Sequence, residues 1–168
     1  MDPQATDKPS DRELRVLAEQ LLNERSTMTL ATAQENEPWA APVYFVYRGG
    51  KLFFLSDPKT RHMAESLLTG RAAAAVFADG RSWKEIRGLQ MSGVVREVTA
   101  KRETMEVLAQ YAKEYPFVRE FFTPGAMLDL KMFFNRFKVR LYCFEPSIVC
   151  YVDNSIRFGF KAEIDLKN

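Results

Sequence analysis

Apolar residues recur at helical spacing near the start of the chain and switch to alternation soon after. Leu14, Leu17, Ala18, Leu21 and Leu22 share one helical face. Ser10-Asp11-Arg12-Glu13 precedes them as a capping box, in which the serine oxygen takes the Glu13 N–H and the glutamate reaches back. Residues 1–9 are polar, carry two prolines and read as a disordered tail, which leaves one domain over 10–168. From Thr27 a period of two takes over. Strands are expected over Thr27–Ala33, Trp39–Tyr47 and Leu52–Ser56. Glu35-Asn36-Glu37-Pro38 turns between the first two, and Arg48-Gly49-Gly50-Lys51 closes the hairpin between the second and third.

A helix is expected from about Thr60 to the C-cap signal at Gly70. Ala72–Ala78 is a strand of small residues, suited to burial on both faces or to close approach by another group. Asp79-Gly80 turns into a long strand, Glu85–Val98, in which Gly88 and Gly93 mark bends or bulges. Lys101–Lys113 is a helix with Met105, Leu108 and Ala109 inward, broken at Tyr115-Pro116. Residues 117–135 form a short helical excursion interrupted by Thr123-Pro124-Gly125. Alternation returns over Phe137–Phe144, Glu145-Pro146 turns the chain, and Ile148–Val152 and Ile156–Phe160 are the last strands. About seven strands, mostly in hairpins, imply a mainly β α+β domain: an antiparallel barrel with flanking helices.

Composition narrows the function classes. A length of 168 residues with 46% hydrophobic content and thirteen Phe suits one globular domain. The net charge is only +2, with basic residues spread along the chain, which argues against nucleic acid as a partner. No apolar run is long enough for a membrane span, the N-terminus is polar, and a cytoplasmic location is expected. Cys143 and Cys150 read as buried free thiols, and one His with two Cys gives poor metal-ligand spacing. No nucleophile or carboxylate stands near His62 in a pattern that implies a catalytic dyad or triad.

The segment from Leu52 to Leu68 carries the chemistry. An apolar strand ends in Ser56, and a turn bearing Lys59, Thr60, Arg61 and His62 leads into a helix. Helix N-termini present unpaired N–H groups and a positive dipole end, and Arg61 can hold two phosphate oxygens at once. Two readings stay open on these residues alone: a cradle for one phosphate, or a capped and solvated helix start. Trp39, Tyr44, Phe54 and Trp83 are candidate walls for a flat ligand or plain core. Tyr142, Tyr151 and Phe158 line a dimer seam or close the barrel.

Several pieces in order carry a resemblance. They are Thr29-Leu30-Ala31-Thr32, Pro38 followed by Ala41-Pro42-Val43-Tyr44-Phe45, Gly49 to Ser56, Thr60-Arg61-His62, and Ile86 to Gly93. Together they resemble the FMN-binding split barrels related to pyridoxamine 5′-phosphate oxidase. The tail from Asp153 to Lys161 is similar to the YhbP-like branch. The resemblance implies a homodimer with FMN between subunits and an oxidoreductase acting on a small molecule or electron acceptor. Ala41, Pro42, Val43 and Tyr44 would run beside the flavin ring, and Leu55 and Ser56 would end the strand that meets its phosphate or ribityl chain. Thr60, Arg61 and His62 fall on the family's Ser-Arg-Lys trio. His62 departs from the usual Lys, and Lys59 can supply the missing charge. Gln90 would offer an amide to the flavin. Arg140, Arg157 and Lys161 do not match the family's motif for the vitamin B6 substrate, so that substrate is not expected. Deazaflavin and haem are the alternative cofactors, and a non-catalytic flavin or haem binding or sensor dimer is the alternative function.

Overall fold

The computed structural model describes residues 8–116 and 130–167. The capping box forms as its sequence dictates: Glu13 N–H donates to Ser10 Oγ at 3.3 Å, and Ser10 N–H donates to Glu13 at 2.8 Å. The helix it starts, α1 (Asp11–Glu24), buries Leu14, Ala18, Leu21 and Leu22 in the main core. Strands β1 (Thr27–Gln34), β2 (Glu37–Arg48) and β3 (Lys51–Ser56) follow, then helix α2 (Arg61–Thr69), strands β4 (Arg71–Phe77) and β5 (Arg87–Glu97), helices α3 (Lys101–Glu114) and α4 (Leu130–Phe137), and strands β6 (Arg140–Asp153) and β7 (Lys161–Glu163).

The strands pair in the order β3-β2-β1-β4-β5-β6-β7, and β3 also pairs β6. That extra pairing closes six strands into an antiparallel barrel with β7 outside it. Inward residues such as Met28, Leu30, Phe45, Phe54, Ala74, Leu89, Tyr142 and Tyr151 fill the core. Tyr142 and Tyr151 are thus barrel core, whereas Phe158 is exposed. A second cluster lies outside the barrel, where Val107, Tyr111 and Tyr115 of the α3 region cover Val46, Phe53, Leu141 and Cys143. Burial raises the Cys143 thiol to about 12, so it is inert.

The barrel is split between β2 and β3. Their ladder runs only from Arg48↔Lys51 to Phe45↔Phe54, after which β2 continues to pair with β1 while Leu55 and Ser56 pair with β6. The Tyr111 hydroxyl bridges the point of separation, 2.8 Å from the Tyr44 carbonyl and 2.9 Å from that of Phe53.

Four sequence expectations are corrected. Glu145-Pro146 is no turn: β6 passes straight through it, and the register slips by one residue opposite Ser92 and Gly93. Proline lacks the ladder N–H and is tolerated at such a bulge. Gly93 is required there, because a Cβ would overlap the Glu145 carbonyl. Ile156–Phe160 is not a strand. Asp153 accepts from Ser155 N–H at 2.9 Å and its Oγ at 2.6 Å, Asn154 accepts from Gly159 N–H at 3.0 Å, and Gly159 takes φ 70°; these turns outweigh the apolar alternation and delay β7 to Lys161. Phe137 ends α4, and Lys138 at φ 54° turns the chain before β6 starts at Arg140. Finally, α3 buries Thr104, Val107, Leu108 and Tyr111, while Met105 and Ala109 face outward. The part of the excursion over 117–129 lies outside the described residues.

Candidate functional site

The end of β3, a turn and the start of α2 bring three of the expected residues together. His62 Nε2 lies 2.9 Å from Ser56 Oγ and 3.3 Å from Thr60 Oγ1, and the two hydroxyls are 3.4 Å apart. The turn that sets this is local. Thr60 N–H and Oγ1 both donate to the Asp57 carbonyl, at 3.1 and 2.8 Å, and Lys59 N–H donates to the Asp57 carboxylate at 2.8 Å. The Thr60 side chain makes no cap hydrogen bond to α2. The first turn of α2 is therefore without the side-chain acceptor that helix starts usually carry, and it holds no acidic residue. His62 is buried; burial pushes its pKa down, with Glu65 acting in the opposite sense. The imidazole is thus neutral near neutral pH in the free protein.

Arg61 projects to a different cluster. Its Nε donates to Glu65 Oε1 at 2.6 Å, its guanidinium carbon lies 4.7 Å from the Trp39 ring centroid, and Nη2 reaches the Glu37 carbonyl at 3.4 Å. Glu65 is itself buried and takes the Thr32 hydroxyl on its other oxygen at 2.5 Å. Hydrogen bonds from Thr32 and then Arg61 hold the Glu65 carboxyl below its ordinary range. Lys59 is exposed, and no ion pair or hydrogen bond among the described residues engages its ammonium. Leu55 faces away from the cradle, packing against the α3 cluster. Thr32 and Glu65 were not among the expected binding residues, and Trp39 was expected only as a wall for a flat ligand. The Arg61–Glu65 spacing of four was legible as a helix-surface pair. Thr32 comes near only through the fold.

Ala41 and Val43 point into the barrel, and Pro42 and Tyr44 point out. Trp39 and Trp83 are exposed, whereas Phe54 is fully buried core and no ligand wall. Gln90 is not at the cradle of its own chain. It sits on the outer sheet face, its amide oxygen taking Lys161 Nζ at 2.8 Å. Strand pairing places it in one lateral row with Pro42, Thr29, Ala75 and Cys150, three strands or ~14 Å from Pro42. A second row is Ala40, Ala31, Ala73, Ser92 and Ile148. These ten positions carry no charge of their own, are mostly small, and are exposed or half-buried; exposed Tyr44, Phe77, Val94 and Arg71 edge them, and the Lys161 ammonium reaches in to the Gln90 amide. The small residues of β4 thus follow one alternation: Ala72, Ala74 and Val76 inward, Ala73 and Ala75 out. Among the described residues no cluster of His, Cys, Asp and Glu could hold a metal ion, and no helix is long and apolar enough to cross a membrane.

The family model described as Pyridoxamine 5′-phosphate oxidase matches residues 16–131. The chain belongs to this family. Among its relatives is the UPF0306 protein YhbP of Escherichia fergusonii, 28% identical over 142 residues that cover 83% of this chain and 85% of that protein. Among solved structures, a haem-binding protein from Mycobacterium smegmatis superimposes with a TM-score of 0.69 at 16% identity, over 95% of this chain and 60% of that one. An FAD-binding protein from Mesorhizobium loti does so with a TM-score of 0.59 at 16% identity, over 80% and 90%. At these identities the likeness is one of fold.

Proposed function

We propose that the protein is a homodimeric FMN-binding oxidoreductase of the pyridoxamine 5′-phosphate oxidase type, with the flavin phosphate at the start of α2. The observation that carries this reading is the uncapped first turn of α2 beside the Ser56–Thr60–His62 cluster, with Arg61 next to it. Hydroxyls, backbone N–H groups and a guanidinium are the donor set a phosphomonoester takes. A plain helix start offers its own acceptor, and this one does not.

Ser56 would hold a phosphate oxygen, Thr60 would join it by turning its hydroxyl proton away from the Asp57 carbonyl, Arg61 would add charge and orientation, and the split edge of β2 from Ala41 to Tyr44 would offer backbone groups to the ring. Bound flavin supplies the hydride or electron transfer; the protein supplies orientation and excludes water. The uncharged outer face supports a dimer. An exposed sheet face of mostly small, uncharged side chains suits burial, and a two-fold partner would cover it with an identical face. In such a dimer Gln90 would reach the flavin of the other subunit. A neighbouring fold that binds haem keeps the haem reading in view, yet His62 is turned inward onto two hydroxyls.

The test is the absorbance spectrum of the purified protein, followed by titration with FMN, riboflavin and haemin. Flavin bands, or FMN binding much tighter than riboflavin binding, are expected. A Soret band with His62-dependent haem affinity would replace the flavin reading, and indifference to all three ligands would remove both.

A further inference from the structure

The bond from Arg61 to a buried carboxylate is short, and phosphate binding as such does not require it. We infer that Glu65 is a positioning residue, and that it presents Arg61 end-on to a phosphomonoester; this rests on the flavin reading. Glu65 divides its two oxygens. Oε2 is anchored to Thr32 on β1 at 2.5 Å, and Oε1 takes Arg61 Nε at 2.6 Å. Trp39 covers one face of the guanidinium. What remains for a ligand is the Nη end, where Nη2 has only a long 3.4 Å bond to the Glu37 carbonyl. That end reaches solvent, since the Arg61 side chain is 44% exposed while that of Glu65 is 5% exposed.

A free arginine loses rotamer freedom when it grips a phosphate, and here the contacts to Glu65 and Trp39 already impose that loss. The same carboxylate has an opposing effect, because its negative charge lies behind the guanidinium and weakens the attraction for an anion. Geometry and charge therefore act in opposite directions, and two substitutions separate them. In Glu65→Gln the amide oxygen can still accept from Arg61 while the amide nitrogen donates to Thr32, whose hydroxyl can accept. Position is kept and the charge is lost. In Glu65→Ala both are lost.

Affinities for FMN and riboflavin are measured by fluorescence titration on the full chain, with circular dichroism and melting curves to certify folding. Glu65→Gln should bind FMN at least as tightly as wild type. Glu65→Ala should bind it about tenfold more weakly than Glu65→Gln, while riboflavin affinity stays within about threefold across the set. Thr32→Val removes the anchor of Glu65 at little cost in volume and should weaken FMN several-fold without moving riboflavin. It carries the test alone if Glu65→Ala does not fold. Equal FMN affinity in Glu65→Gln and Glu65→Ala overturns the role. So does Glu65→Ala binding FMN tighter than wild type, which would make Glu65 a restraint on Arg61, and so does a parallel shift in both flavins. Wild type that binds no FMN removes the flavin reading and this role with it. Wild type that binds FMN while all variants match it removes only the role of Glu65.

Discussion

The Ser56–Thr60–His62 cradle and the small-residue sheet face are built by opposite means. The cradle is made from neighbours in sequence: Ser56, Asp57, Thr60 and His62 meet because one strand ends and one helix begins. The outer face is made from residues of five strands that share nothing but register, Pro42 and Ala40 on β2 through to Cys150 and Ile148 on β6. A local site tolerates slippage elsewhere in the sheet. A register-built face does not, since a shift of one residue would turn every alanine inward. The cradle offers directed polar groups, and the face offers mostly small, uncharged side chains.

The largest expected effect breaks the face. Ala75 stands between Thr29 and Gln90, in the middle strand of one row. In the proposed dimer, Ala75→Asp would set two carboxylates into the seam and should cost about 3 to 5 kcal/mol of association, the scale of an uncompensated buried charge. Light scattering should show wild type as a dimer at micromolar concentration and the variant as a folded monomer. A wild-type monomer throughout that range, or a variant dimer, removes this face as the interface. The FMN affinity of the monomeric variant sharpens the contrast: a loss means the flavin needs both surfaces, and retention means the cradle acts alone.

The next effect breaks the cradle. Arg61→Ala should weaken FMN by about 2 to 3 kcal/mol, the cost of removing one partner of a charge-assisted pair. Riboflavin has no phosphate, so its affinity should hardly change. Equal weakening of both ligands would mean that Arg61 acts through Glu65 and the fold.

A smaller effect addresses the split between the two regions. The buried Tyr111 hydroxyl is shared by the carbonyls of Tyr44 and Phe53, where β2 and β3 part. Tyr111→Phe should lower stability by about 1 to 2 kcal/mol, the cost of leaving a buried acceptor short of its donor. Denaturant unfolding reads it. Unchanged stability would mean that these carbonyls are satisfied without the tyrosine.

The same contrast decides how much was legible beforehand. Ser10 to Glu13, the Gly49-Gly50 hairpin and the Ser56–His62 junction were readable because each is settled within a few residues. The small residues of β4 were visible as composition, but their direction needed the pairing with β1 and β5. Glu145-Pro146 misled because proline after a charged residue signals a turn in isolation, and only the strand opposite shows a bulge. Ile156–Phe160 misled in the reverse sense: its apolar residues alternate, but Asp153 and Asn154 commit the backbone to turns. Within the site, Glu65 was in view as the residue four after Arg61, whereas Thr32, which anchors it, lies on a strand more than thirty positions away.

The smallest effect is one of pH, and it distinguishes the free cradle from the occupied one. Burial lowers the His62 pKa from its ordinary 6.5. The folded state therefore disfavours the proton that the unfolded chain accepts. The stability contributed by neutral His62 is complete above about pH 6.5 and is lost as pH falls through that value, ending once the folded imidazole itself protonates. Melting between about pH 7.5 and 5 should show a larger loss for wild type than for His62→Gln, whose amide can still meet Ser56 but does not titrate. Staying above pH 5 keeps Glu65, whose carboxyl is held below the ordinary range, out of the comparison. With FMN the sign reverses. A phosphate beside the imidazole favours the charged form, so FMN affinity should rise as pH falls through the His62 pKa of the complex. The flavin phosphate titrates near the same range, at about 6, so the comparison is wild type against His62→Gln in one pH series. One shared pH curve for affinity, beside a difference in melting, would leave His62 as a structural partner of Ser56 and take it out of the phosphate site.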